Sequence, residues 1–137
     1  MPDDDHEITF EGFSLPVSDL DTSIRFYEQL GFHTEILNPQ HSFALMRLGS
    51  GTLGLLKVAA SVLEDSAVRK VAALVQVELS VADLDALYQR LVDSGVRIDV
   101  PPRDRGFERS MQCRDPDGFT VEFAEGRRGQ NRTRPGA

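Results

Sequence analysis

Two short stretches of the chain carry acids and amides where an apolar rhythm would otherwise run unbroken. Gln76 and Glu78 interrupt Val75-Gln-Val-Glu-Leu-Ser-Val81, and Glu122 interrupts Phe119-Thr-Val-Glu-Phe123. A carboxylate among apolar neighbours favours a cationic or hydrogen-bond-donating ligand, and it becomes a general base if burial raises its pKa. Phe10, Phe43 and Phe107 offer ring faces for stacking a flat or cationic group. Arg109 is suited to pair with a ligand carboxylate or with Glu122 itself. The three histidines do not make the two-histidine, one-carboxylate set of non-haem iron. His6 lies in an acidic leader, and His33 and His41 flank one predicted strand. Cys113 has no histidine or helix start near it in sequence to activate it, so a buried, inert thiol is expected.

The elements that must position these residues belong to a chain of 137 residues, a length that suits one domain with one proper core. Hydrophobic residues make up 40% and charged residues 27%, which excludes a disordered or membrane-embedded composition. No apolar run approaches the roughly 20 residues of a membrane-spanning helix. The acidic start, Met1-Pro-Asp-Asp-Asp-His-Glu7, lacks the features of a secretory signal, so a cytoplasmic protein is expected. A single cysteine leaves no internal disulfide and no cysteine-cluster zinc site. Net charge is −7, and setting aside the four arginines of residues 126–137 leaves −11 on residues 1–125. A body that acidic repels nucleic-acid phosphate. Residues 127–137 read as a flexible basic tail.

An internal repeat organises the rest. Phe13-Ser-Leu-Pro-Val-Ser-Asp-Leu-Asp21 aligns with Val77-Glu-Leu-Ser-Val-Ala-Asp-Leu-Asp85 at an offset of 64, and Gly31 and Gly95 follow at the same offset. Val75, Val77, Leu79 and Val81 alternate with polar residues as a half-buried strand does, with Glu11, Phe13, Leu15 and Val17 as their counterparts. Leu20, Ile24, Tyr27 and Leu30 then form a helical stripe, as do Leu84, Leu87, Tyr88 and Leu91. Ser18 with Asp21 resembles a capping box, and Gly31 and Gly95 are C-terminal stops. Three strand-like runs follow each helix. They are Phe32–Leu37, His41–Leu48 and Thr52–Val58 in the first copy, and Arg97–Val100, Phe107–Arg114 and Phe119–Ala124 in the second. Pro101-Pro-Arg-Asp-Arg-Gly106 and Asp115-Pro-Asp-Gly118 read as turns. The expected fold is α+β, a βαβββ module twice in one domain of residues 1–126. Module one covers about 8–58 and module two about 71–125. Residues 59–70 link them and include a short helix.

Val17-Ser-Asp19-Leu20-Asp-Thr-Ser23-Ile-Arg-Phe26-Tyr27-Glu-Gln-Leu30-Gly31-Phe32 resembles the opening signature of the vicinal-oxygen-chelate superfamily (glyoxalases, bleomycin-resistance proteins, extradiol dioxygenases). Asp115-Pro-Asp-Gly-Phe-Thr-Val-Glu-Phe123 is similar to its closing motif. The resemblance covers about residues 8 to 125. It implies mixed sheets curled into a cup, a homodimer with its ligand groove at or near the interface, and a small-molecule ligand. Metal-using members hold ligands on the first and last strands of each module. Counting from the repeat's landmarks puts those positions at Gly12, Leu55, Gln76 and Glu122, or at Gly54 in place of Leu55 if the fourth-strand count slips by one residue. Gly12 and Leu55 bring no donor side chain, and two oxygens make a poor cage for zinc, iron or nickel.

Strand alternation then selects the cup-facing residues. If Val77 and Leu79 face the helix, then Gln76, Glu78 and Ser80 face the cup, with Thr120, Glu122 and Ala124 from the last strand. The same parity assigns Leu53 and Leu55 from the fourth strand and Phe10, Gly12 and Ser14 from the first. The third and seventh strands stay unphased: Phe43, Leu45 and Arg47 oppose Ala44, Met46 and Leu48, and Phe107, Arg109 and Met111 oppose Glu108, Ser110 and Gln112. The expected ligand-binding set is Gln76, Glu78, Glu122, Phe43, Leu55, Phe107 and Arg109, with no cofactor. The resemblance to metal-free, antibiotic-binding members implies a protein that sequesters or carries a cationic or aromatic metabolite. One alternative is a metal-dependent lyase, epimerase or dioxygenase, with His33, His41 or a partner chain completing the ligand set. Another is a metal-free lyase or isomerase with Glu122 as base.

Overall fold

A computed structural model describes residues 7–126. The basic tail and His6 lie outside the described residues. The chain divides between Glu64 and Asp65 into two compact units. The first contains β1 (Gly12–Val17), α1 (Leu20–Gln29), β2 (His33–Leu37), β3 (Phe43–Leu48), β4 (Gly51–Lys57) and α2 (Ala60–Glu64). The second contains α3 (Ser66–Ala72), β5 (Gln76–Val81), α4 (Leu84–Asp93), β6 (Ile98–Asp104), β7 (Arg109–Arg114) and β8 (Thr120–Glu125). The sheet orders are β1-β4-β3-β2 and β5-β8-β7-β6, with the outer pairs β1/β4 and β5/β8 parallel and the rest antiparallel. The fold is α+β, a βαβββ module made twice. The linker holds two short helices rather than one.

Local chemistry explains each helix start and stop. The N-caps are Asp19 and Asp83, not Ser18: their carboxylates accept from the amides of Thr22 at 3.1 Å and Ala86 at 3.0 Å. An Asp here satisfies an otherwise orphaned helix amide, which stabilises by about 1 kcal/mol. Gly31 and Gly95 sit just past the helices at φ 111° and 83°, a conformation that side chains resist.

In the first unit the core joins Leu20, Ser23, Ile24 and Tyr27 of α1 to Leu15, Val17, Ala44, Met46, Leu53 and Leu55 of the sheet. Tyr27 meets Phe32 edge to face at 5.5 Å. In the second, Leu84, Leu87 and Leu91 of α4 are buried with Val77, Met111, Cys113, Val121 and Phe123. Burying a side chain of this size contributes roughly 1.5–3 kcal/mol.

Strand ends depart from the sequence reading at several places. The strand β6 runs on through Pro101 and Pro102 to Asp104, where a turn was expected, and its register with β7 shifts twice. It lies at the sheet edge, where a residue without an N–H is tolerated. Phe10 and Glu11 precede β1, and Phe10 is 89% exposed. Phe107 falls in the β6–β7 loop rather than on β7. Among the described residues, no helix is long and apolar enough to cross a membrane.

Candidate functional site

Cross-strand register settles which side chains share a face, because partners across a ladder point the same way. In the second module Glu78 pairs with Glu122, and Glu122 with Gln112, on the face away from the buried Val77, Val121, Phe123 and Cys113. Gln76 and Ser80 flank Glu78 on β5, with Thr120 and Ala124 opposite them. The structure thus brings Gln76, Glu78 and Glu122 onto one face. Glu122 is only 5% exposed there, although it is a carboxylate. Its Oε2 accepts from Gln112 Nε2 at 3.3 Å and from Arg105 Nη1 at 3.5 Å. Buried carboxylates persist when such charged and amide donors face them.

Arg105 and Gln112 were not in the expected ligand-binding set. Gln112 belongs to the seventh strand, whose phase alternation alone left open. Arg105 sits in a stretch read as a turn, and no sequence signal aims a loop side chain at a residue 17 positions further on. Its guanidinium also stands 4.0 Å from the buried carboxylate of Glu108 and 5.2 Å from the centre of the Phe107 ring.

Arg109 corrects an expectation. It pairs with Glu125 on β8, and that pair shares the face of Val81, Val121 and Phe123, on the helix side. Its guanidinium bonds Asp85 at 3.1 and 3.2 Å and Glu125 at 3.4 Å, not Glu122. Those partners hold its pKa above the ordinary arginine value, the Asp85 hydrogen bond acting most. Glu125 meanwhile accepts from the Leu84 amide at 2.8 Å, so the network fastens the start of α4 to the sheet.

Leu55 is the second correction. It pairs with Leu15 and Ala44, is fully buried, and belongs to the helix-side core, as does Leu53. The counterpart of Glu122 in the first module is Gly54, which pairs with Ser14 as Glu122 pairs with Glu78. The count slipped by one because Gly51, taken as a turn glycine, already lies in β4 opposite Leu48. Gly118, by contrast, lies in the loop before β8.

Both first-module positions are crowded, Gly12 by backbone and Gly54 by side chains. A Cβ on Gly54 would stand 2.2 Å from Ser14 Oγ and 3.1 Å from the Phe43 ring. At Gly12, φ is 148° and a Cβ would meet the Thr52 carbonyl at 2.1 Å. The Thr52 amide and hydroxyl both donate to the Glu11 carbonyl, holding this close approach. The open face of this module carries Phe43, Leu45, Leu56 and Ile36 beside Ser14 and Gly54. Phe43 therefore lies over the glycine, on the face that alternation had left open for the third strand.

The residues present do not fit the superfamily's metal set. Two of its four positions are glycines, which bring no donor side chain, and the Glu122 carboxylate already faces a guanidinium. Among the described residues, no group of three or more His, Cys, Asp or Glu is placed to hold a metal ion. Cys113 is buried, and desolvation, helped by Asp115 and Asp99, pushes its thiol up to about 12.

The sequence profile of the Glyoxalase/Bleomycin resistance protein/Dioxygenase superfamily matches residues 9–123, and the chain belongs to that superfamily. Several solved structures share the fold. A bleomycin resistance determinant encoded on the transposon Tn5 is 21% identical, covering 86% of this chain and 98% of its own at a TM-score of 0.66. A lactoylglutathione lyase from Agrobacterium tumefaciens is 17% identical over 86% of this chain and 93% of its own, TM-score 0.66. A glyoxalase/bleomycin resistance protein/dioxygenase from Nocardioides is 25% identical over 88% and 84%, TM-score 0.66. The same fold thus occurs in a resistance determinant and in a lyase.

Proposed function

We propose that this protein is a metal-independent binder of a small cationic or aromatic molecule, of the kind that sequesters an antibiotic or carries a metabolite. The observation that carries this reading is the asymmetry of the metal positions. Gly12 and Gly54 are crowded by backbone and by Ser14 and Phe43, while Glu122 is buried in register with Glu78 and Gln112. A carboxylate kept in a low-dielectric place attracts a cation more strongly than one in water. Within the second unit, Gln76, Glu78 and Glu122 supply the polar contacts, and Phe107 a ring face. This combination of few polar groups with aromatic surface is how small-molecule sites are built. The resistance determinant among the relatives supports the antibiotic class. In this reading the protein works as a cytoplasmic homodimer.

The test is elemental analysis followed by a thermal-shift panel of planar and cationic antibiotics. Metal-free protein with at least one compound raising the melting point is the expected result, since a ligand that binds only the native state stabilises it. A stoichiometric transition metal, retained after dialysis against a chelator, overturns the reading. Sedimentation velocity tests the dimer.

A further inference from the structure

The β6–β7 loop carries a guanidinium that occupies two kinds of binding feature at once. Arg105 Nη1 lies 3.5 Å from Glu122 Oε2 and 4.0 Å from Glu108 Oε2. Those two side chains are only 6% and 3% exposed, whereas Arg105 is 35% exposed. The same guanidinium lies 5.2 Å from the Phe107 ring centre. A carboxylate pair beside an aromatic face is what a planar cation needs: charge at its edge and a π surface beneath it.

Both polar contacts are long for a charge-assisted bond, which is normally about 2.7–2.9 Å. The loop, by contrast, is well set. Asp104 and Arg109 close it, Arg105 N donates to Glu108 O at 2.8 Å, and Gly106 N donates to Asp104 Oδ1 at 2.8 Å. Gly106 turns at φ 89°. The backbone is therefore fixed, and Arg105 is a long, partly exposed side chain standing on it.

Resting on the proposed binding function, we infer that Arg105 is a built-in stand-in for the ligand's own cationic group. The ligand is a planar cation, an amidinium, guanidinium or protonated aromatic amine. It displaces Arg105 from Glu122, Glu108 and Phe107, and Arg105 moves into solvent. This Arg105 strap adds positive charge beside two buried carboxylates in the absence of ligand, and the Gln112 amide also donates to Glu122. It also sets a threshold. A small inorganic cation gains the carboxylates but not the ring, and an uncharged ring gains the stack but leaves the carboxylates held by Arg105.

The probes are proflavine, a planar aromatic cation, and acridone, an uncharged ring system of similar shape. Binding to the full chain is measured by calorimetry for the wild type, Arg105→Gln and Arg105→Lys. Arg105→Gln is expected to bind proflavine about tenfold more tightly, with acridone changed less than twofold. Arg105→Lys, which retains a positive charge, is expected to stay within about threefold of the wild type. If Arg105→Gln does not fold, the wild type alone decides. The Arg105 Nε–H resonance should shift on proflavine addition and not on acridone addition. Equal or weaker proflavine binding by folded Arg105→Gln overturns the strap while the binding function stands, as does an unmoved Arg105 resonance under saturating proflavine. If neither wild type nor variant binds proflavine, both the strap and the cationic form of the proposed function fall.

Discussion

The two modules share their scaffolding and differ on the sheet face turned away from the helix. Asp19 and Asp83 cap equivalent helices, Gly31 and Gly95 end them, and the strand orders match. On the open faces, Ser14 and Gly54 stand where Glu78 and Glu122 stand in the other copy, and Leu45 stands for Gln112. The open face of the first module is largely apolar and crowded at its glycines. That of the second carries carboxylates and their donors. After duplication, the helix-side residues are constrained by packing, whereas the open face is free to diverge. Carboxylates therefore gather on one open face and apolar side chains on the other.

The strongest way to break this comparison is to restore a donor to the first module. Gly12→His is expected to cost about 4 kcal/mol, because the new Cβ meets the Thr52 carbonyl and the backbone conformation resists a side chain. Urea denaturation measures it, and a fully stable variant that binds zinc would erase the proposed division of labour.

Next in size is the phase of β4. Leu55→Ala should destabilise by about 3 kcal/mol, since it empties a buried core site, whereas Leu56→Ala, half-exposed on the other face, should cost less than about 1 kcal/mol. Equal losses would mean that the two faces are not distinguished as the register assigns them.

A smaller effect sits inside α1. Ser23 is fully buried with no hydrogen-bond partner for its hydroxyl among the described residues, and its repeat counterpart is the apolar Leu87. Ser23→Ala is expected to stabilise by roughly 1 kcal/mol in the same denaturation assay, because it removes an unpaired buried hydroxyl.

The smallest is a difference in reactivity. Cys113 occupies the register position that Met46 fills in the first module. Its native thiol, pushed up to about 12, should resist a disulfide reagent at pH 8 and react only after unfolding. Because the native value is raised, the stability it contributes is full below the ordinary thiol value of 9.0 and is lost as pH rises towards 12. A Cys113→Ser variant should flatten that alkaline decline. Rapid labelling of the native protein would show the core open at this point.

Much of the architecture was legible because it depends on local rules. The Asp-Leu-Asp helix starts, the glycine stops and the alternation around Val77 each act over a few residues. The acidic face followed from alternation alone, since Gln76, Glu78 and Glu122 sit on strands with regular pleats. Leu55 was misplaced for a different reason. The offset between copies is 64 at β1 and β5 but 68 between Gly54 and Glu122, as connections of different length intervene. A slip of one residue turns a side chain to the other face. Arg109 was misread because a half-buried arginine takes whichever acid the fold brings near, and Asp85 arrives through a helix that pairing rules do not describe. Arg105 was missed because loop geometry is set by the hairpin around it.

The prolines of β6 have a consequence for how the protein behaves in a crowded solution. A sheet grows by adding a strand to an edge whose N–H and C=O groups point outward. Pro101 and Pro102 lie in the outermost strand of the second sheet, offer no N–H at two successive positions, and break the ladder register beside them. That edge is a poor template for a foreign strand. The equivalent edge of the first sheet, β2, has one bulge near Glu35 and no proline. Where this protein aggregates through strand addition, β2 is a better starting edge than β6.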